Sequence, residues 1–191
     1  MLRALLVLAP LGTACVATAY PPAAPPDAVT VYLLKQGEHT GVILPAPEPS
    51  GAAWVEYAFG DWGWYGEGRN STAYGLYALA VPTGAALGRR YSAAAPEADA
   101  VIHRRGASIH AFLAERARVR ALREELDAEY EAAGVVPREV AASGLLVVPA
   151  RHAYTLNYNC SDATIVWLRR LGCSVPVGGI TRSVVLGTAR P

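Results

Sequence analysis

The sequence has little lysine, phenylalanine and cysteine, and little net charge. Among its 191 residues, Lys35 is the single lysine, beside two phenylalanines and three cysteines. The net charge is +1, without the strong basic excess that is typical of nucleic-acid-binding proteins. After the amino-terminal leader, no apolar run approaches the roughly 20 residues of a membrane-spanning helix. A chain of this length and apolar content is expected to fold as one globular domain.

The motifs of several cofactor sites and enzyme classes are also missing. No two histidines lie three to five residues apart, and there is no paired-cysteine motif, so no metal site is expected. No glycine-rich phosphate loop follows a predicted strand, and no G-x-S-x-G motif is present. The sequence therefore predicts neither a nucleotide cofactor nor a serine hydrolase, and we expect no cofactor.

The amino terminus has the form of a secretory signal peptide. A short positive start at Arg3 is followed by small and apolar residues up to Ala19, and Ala17–Ala19 gives an A-x-A cleavage pattern. We therefore predict a signal peptide at residues 1–19, a proline-rich tether at residues 20–27 and one domain at residues 28–191.

Cys15 offers a second interpretation of this leader. Leu11–Cys15 is similar to a bacterial lipoprotein box stretched by one residue, which would end the leader at residue 14. Lipidation of Cys15 and cleavage after Ala19 remain open alternatives. Both predict export, to the periplasm or to a membrane-anchored position at the cell envelope.

Export would place Cys160 and Cys173 in an oxidising compartment, where exported cysteines commonly form disulfides. The two lie at opposite ends of one predicted helix, which would separate their Cα atoms by roughly 20 Å. A disulfide needs Cα atoms within about 7 Å of each other. We therefore predict two free thiols.

Alternation of apolar residues predicts strands, and a period near 3.6 predicts helices. The predicted strands are Ala28–Lys35, His39–Leu44, Trp54–Phe59, Ala100–Arg104, Ala107–Leu113, Leu145–Val148 and Val184–Leu186. The predicted helices are Ser71–Ala80, Arg116–Ala133 and a segment from Cys160 to Gly172; Ala107–Leu113 alternatively begins a helix. The elements lack a βαβ rhythm, so the predicted class is α+β, a mostly antiparallel sheet with flanking helices.

Cys160 is predicted to stand in the first turn of an amphipathic helix. Ile165, Leu168 and Leu171 form its apolar stripe, and Gly172 is a natural stop. A thiol at a helix amino terminus lies near free N–H groups and the positive end of the dipole, which favour the thiolate. The alternative is a half-buried structural cysteine beside a helix cap.

A cysteine nucleophile needs a base, and His39 is the best candidate because it begins a strand directly after a glycine turn. A hairpin to the next strand would place His39 roughly opposite Ala58 or Phe59. Asp61 and Glu56 would then flank the imidazole, with Asp61 ranked first to orient it. The alternatives are a structural histidine and a turn residue at Asp61.

An aromatic segment adjoins this predicted site. Trp62, Trp64 and Tyr65 lie between Gly60 and Gly66, which favours a loop. Such a loop beside a nucleophile is able to form a wall for a sugar or an acyl chain. The alternative is that these rings belong to the core.

These segments together carry a family resemblance. Val31–Pro45 (V-x-x-x-x-x-G-x-H-T-G-V-I-L-P), Phe59–Tyr65 (F-G-D-W-G-W-Y) and Asn159–Gly172 (N-C-S-D-A-T-I-V-W-L-R-R-L-G) resemble an uncharacterised bacterial envelope family. That family is similar to circularly permuted papain-like proteins of the NlpC superfamily, in which the histidine strand comes first and the cysteine helix last. The resemblance spans roughly Ala28 to Pro176.

The resemblance implies a permuted papain-like fold and a thiol hydrolase or acyltransferase of the cell envelope. Cys160 would be the nucleophile and His39 the base, with Asp61 or Glu56 third. The residues expected at the substrate are Trp62, Trp64, Tyr65 and Asn159. Peptidoglycan peptides and lipid acyl chains both remain open as substrates.

One departure from the family's pattern is Ser161-Asp162 after the cysteine. The Asp162 carboxylate would raise the thiol pKa. The alternative function is a non-catalytic envelope module that binds a cell-wall or protein partner through the Trp/Tyr loop.

Overall fold

The computed structural model describes residues 15–48, 50–176 and 180–189. Its strands are β1 Cys15–Ala19, β2 Ala28–Gln36, β3 His39–Pro45, β4 Trp54–Asp61, β5 Ala85–Ser92, β6 Ser108–Glu115, β7 Arg138–Val140, β8 Leu145–Pro149 and β9 Thr181–Leu186. Its helices are α1 Trp62–Tyr65, α2 Thr72–Ala80, α3 Ala100–Arg104, α4 Arg116–Ala132 and α5 Cys160–Arg170.

The main sheet confirms the predicted α+β class. Within the described residues it has seven strands in the order β6-β2-β3-β4-β5-β8-β7, and every neighbouring pair is antiparallel. Strands β1 and β9 form a separate parallel pair. β2 and β3 are joined by a tight turn, in which Gly37 takes the left-handed conformation that glycine tolerates best.

The larger core lies between one face of the sheet and helices α4 and α5. The inward residues of β3, Val42 and Leu44, are fully buried in the same apolar cluster as Leu122 of α4 and Leu168 of α5. This is the alternation expected of a strand with one face on the core. The cysteine-bearing helix is therefore fixed against the central strands.

The opposite face of the sheet is covered in part by α3. Ile102 of α3 is buried against Leu34 and Ile43, which point away from the larger core. Beside them, Glu56 forms ion pairs with Arg90 and Arg105. This second face therefore contains charged groups that the larger core lacks.

Two local predictions are wrong. Ala100–Arg104 is helix α3 rather than a strand, because the Asp99 side chain accepts the Val101 N–H at 2.8 Å and caps a helical turn. In the β3–β4 pair, Ala58 lies opposite Gly41 rather than His39, so the strands are shifted by one or two residues from the expected pairing of His39 with Phe59 or Ala58. His39 lies beyond the last paired residue of β4.

The amino-terminal predictions lie mostly outside the described residues, which begin at Cys15. The segment Cys15–Ala19, placed within the predicted signal peptide, forms strand β1. No helix in the described part of the chain is long and apolar enough to cross a membrane. Cys160 and Cys173 are both free thiols, as predicted.

Candidate active site

Cys160 is the first residue of α5, and the helix start is fully capped. The Asn159 side chain accepts the Ser161 N–H at 2.8 Å, and Asp162 returns a bond by accepting the Asn159 N–H at 3.1 Å. This reciprocal pattern is a capping box, which satisfies N–H groups that a helix start leaves free. Asn159 also donates to the Thr181 carbonyl at 3.1 Å. Its side chain is thus engaged in the fold, whereas the sequence had placed it at the substrate.

The sulfur of Cys160 lies against the turn between β2 and β3. Sγ is 3.5 Å from the Glu38 carbonyl oxygen, to which the thiol donates. Burial raises the thiol pKa, and Asp162 adds to this shift. The Thr40 N–H and the N–H and hydroxyl of Ser161 oppose it, because they stabilise the thiolate. Burial has the larger effect, so the neutral thiol is favoured.

His39 lies next to this turn, and its imidazole is held by Tyr65. Nδ1 is 3.2 Å from the Tyr65 hydroxyl, a contact for which no sequence signal was identified. Nε2 is buried and has no hydrogen-bond partner among the described residues. Burial lowers the His39 pKa to about 4; Glu56 opposes the shift and Arg105 adds to it. The imidazole is therefore neutral at pH 7.

The thiol lies beside the main chain next to His39, but no hydrogen bond joins it to the imidazole among the described residues. Thr40 points towards α5, where its hydroxyl contacts the Thr164 hydroxyl at 3.1 Å. Alternation along β3 directs His39 to the opposite side, and its ring lines a small cavity with Ala58 and Tyr65. The imidazole is thus hydrogen-bonded to Tyr65, and the thiol donates to the Glu38 carbonyl.

Neither carboxylate ranked as the histidine's partner is hydrogen-bonded to it. Asp61 caps α1 by accepting the Trp64 N–H at 2.7 Å, and it also accepts the Thr83 hydroxyl. Glu56 is bound by arginines and acts on His39 only through its charge. These contacts support the structural alternative for Asp61, in which it is a turn residue and not the partner of His39.

The aromatic segment was predicted as a loop, which is wrong: it is the helical turn α1, capped by Asp61. Its three rings have different surroundings. The Tyr65 ring lies over Gly60, where a Cβ would overlap it. Trp62 is partly buried against the small apolar cluster that includes Ala58, while Trp64 is 37% exposed. Only Tyr65 contacts His39 directly.

Tyr154 is a further site residue that the sequence did not indicate. Burial raises the pKa of both Tyr65 and Tyr154, and a charge on Cys160 adds to both shifts. The two phenols are therefore electrostatically coupled to the thiol.

A neutral, buried thiol should react slowly with a small alkylating agent. At about pH 8 we expect iodoacetamide to modify Cys160 at least about tenfold more slowly in the folded protein than in the unfolded one, because the thiolate is the reactive form. Peptide mass mapping would follow Cys160 separately from the other cysteines. A folded rate equal to or above the unfolded rate would show a thiolate at rest.

Comparisons with protein-family models, with curated proteins and with solved structures find no match for this chain. The functional conclusion therefore depends on the residues and their geometry.

Proposed function

We infer that this protein is an exported thiol hydrolase or acyltransferase of the cell envelope, with Cys160 as nucleophile and His39 as base. The observation that carries this proposal is the packing of Sγ against the main chain on both sides of His39. Sγ lies 3.5 Å from the Glu38 carbonyl and receives support from the Thr40 N–H. This contact brings together two residues that are 122 positions apart in the chain, at the amino terminus of a helix. A permuted papain-like arrangement would have this order, with the histidine strand first.

The proposed chemistry begins from a neutral pair. His39 leaves Tyr65 and takes the Cys160 proton on Nε2, the ring nitrogen that lacks a partner, while Sγ attacks the carbonyl carbon of an amide or ester. The Cys160 N–H at the helix start would stabilise the oxyanion. His39 then protonates the leaving amine or alcohol. Water or an acceptor alcohol or amine attacks the thioester, which releases the acyl group and restores the thiol.

The substrate class follows from the proposed location. Peptidoglycan peptides supply amides and membrane lipids supply acyl esters, and the predicted leader places the protein where both occur. Lipidation at Cys15 would anchor it to the membrane. The partners proposed are therefore an envelope peptide, peptidoglycan or a lipid, with neither nucleic acid nor a cofactor.

The proposal is tested with activated acyl esters such as p-nitrophenyl acetate. We expect release of nitrophenol and an acyl adduct that peptide mass mapping assigns to Cys160. Cys160→Ser should abolish the adduct, whereas Cys173→Ser should keep it, because Cys173 is buried and its pKa is raised to about 12. An adduct on neither cysteine, or equally on both, contradicts the proposal.

The second candidate is a non-catalytic module of the same fold that binds a cell-wall or protein partner. Two observations favour it: the thiol and imidazole are both neutral, and Trp64 is exposed together with Leu76 and Tyr77 of α2. Exposed aromatic and apolar side chains are common in binding surfaces. This candidate predicts binding that Trp64→Ala weakens, with no acyl adduct on Cys160.

A further inference from the structure

Strand β1, which lies within the predicted signal peptide, is built into the fold. Its five residues pair in parallel with β9. Ala19 is completely buried and Ala17 is 8% exposed, and both belong to the larger core together with Val184 of β9. Val16, by contrast, is 59% exposed, so β1 has one buried and one open face.

The chain is held on both sides of the Ala19–Tyr20 peptide bond. The Ala19 carbonyl accepts the Gly187 N–H at 2.8 Å. Tyr20 exchanges two main-chain bonds with Ser174, each of 2.9 Å. The Tyr20 ring also lies against Gly187, where a Cβ would come within 2.6 Å of it. Both sides of this peptide bond are therefore fixed in the folded chain.

β9 in turn supports the start of the cysteine helix. The Thr181 carbonyl accepts a bond from the Asn159 side chain, which caps α5 in front of Cys160. Arg182 pairs with Glu38, whose carbonyl accepts from the Cys160 thiol. β1 therefore pairs with the strand that accepts the bond from the helix cap and contacts the β2–β3 turn through Arg182.

We propose that the mature protein keeps β1, and that any leader cleavage occurs before Val16 rather than after Ala19. Cleavage after Ala19 would remove the whole of β1 and leave the core side of β9 without its partner strand. Processing in front of Cys15 would leave β1 complete. The proposal concerns the amino terminus and stands whether or not Cys160 is a nucleophile.

The first test is the amino terminus of the protein produced from its full gene, with a carboxy-terminal tag, in a bacterial host. Amino-terminal sequencing and intact mass should give a chain that starts at Cys15 or earlier. A mass that includes lipid on Cys15 and a mass of the unprocessed chain both support retention of β1. A folded species that starts at any residue after Val16 overturns the proposal.

The second test compares two substitutions within β1 in that isolated protein. Ala17→Asp places a charge in the core, and we expect it to lower the melting temperature by at least about 5 °C or to prevent folding. Val16→Asp introduces the same charge on the open face of β1 and should lower the melting temperature by less than about 2 °C. Equal midpoints for the two variants would show that β1 is not packed, which contradicts the proposal.

Discussion

Replacing Glu56 with glutamine should lower the free energy of unfolding by about 3–5 kcal/mol, because it leaves a buried arginine without its counter-charge. The Glu56 side chain is 1% exposed and accepts bonds from both Arg90 and Arg105 at 2.9–3.1 Å. Arg90 would keep Asp99 at 2.8 Å, but the side chain of Arg105, 3% exposed, would lose its carboxylate partner. Urea unfolding at pH 7 measures the loss.

The matched control for Glu56→Gln is Glu124→Gln on α4. The Glu124 side chain is 66% exposed and 3.9 Å from Arg120, so its loss should change the stability by less than about 0.5 kcal/mol. If Glu56→Gln lowered the free energy of unfolding by less than about 1 kcal/mol, the two arginines would not need the carboxylate. In that case Glu56 would return as a candidate partner of His39.

The second large effect is a fall in stability with acid that depends on His39. Its pKa is about 4 in the folded protein and 6.5 in the unfolded chain, so the unfolded state binds more protons between these values. The stability from this group is present above pH 6.5 and is lost as the pH falls towards 4. The loss amounts to about 3 kcal/mol when it is complete.

The substitution His39→Gln separates this effect from other acid titrations. Glutamine cannot take up the proton, so the variant should lose less stability than the native protein between pH 7 and pH 4.5. Asp99, whose pKa is lowered chiefly by Arg90 against the effect of burial, titrates in both proteins and cancels in the difference. Parallel pH profiles for the two proteins would show that the imidazole is accessible to water when folded.

The sequence predicted the strands that carry strong local patterns. β2, β3 and β4 have alternating or apolar runs with clear ends, and Asn159 before Cys160 marks a helix start. β5 was missed because three of the four residues in its first half, Ala85–Gly88, are small and give no alternation. The small residue at Gly88 is explained by tertiary packing. A Cβ there would lie 3.3 Å from the side chains of Leu145 and Val147 on the neighbouring strand.

The sequence placed Cys160 and His39 in one candidate site, and the structure packs Sγ against the turn before His39. The contacts and the electrostatics of this site follow from no local pattern. The upward shift of the Cys160 pKa is caused by burial, and no local sequence pattern shows that the thiol is buried. The partner of His39 is likewise a tertiary outcome, since the register of β3 against β4 and the turn of α1 bring Tyr65 to it. Glu56 was misjudged because its partners lie 34 and 49 residues away.

The central claim is that His39 takes the proton of a neutral Cys160 thiol, and the pH dependence of Cys160 acylation tests it most directly. With p-nitrophenyl acetate, the native rate should be nearly constant between pH 5 and pH 7, because an imidazole with a pKa of about 4 is already neutral there. His39→Gln should reduce this rate at least about 100-fold. Equal rates in the two proteins, both rising about tenfold for each pH unit, would show simple attack by the thiolate and contradict the account.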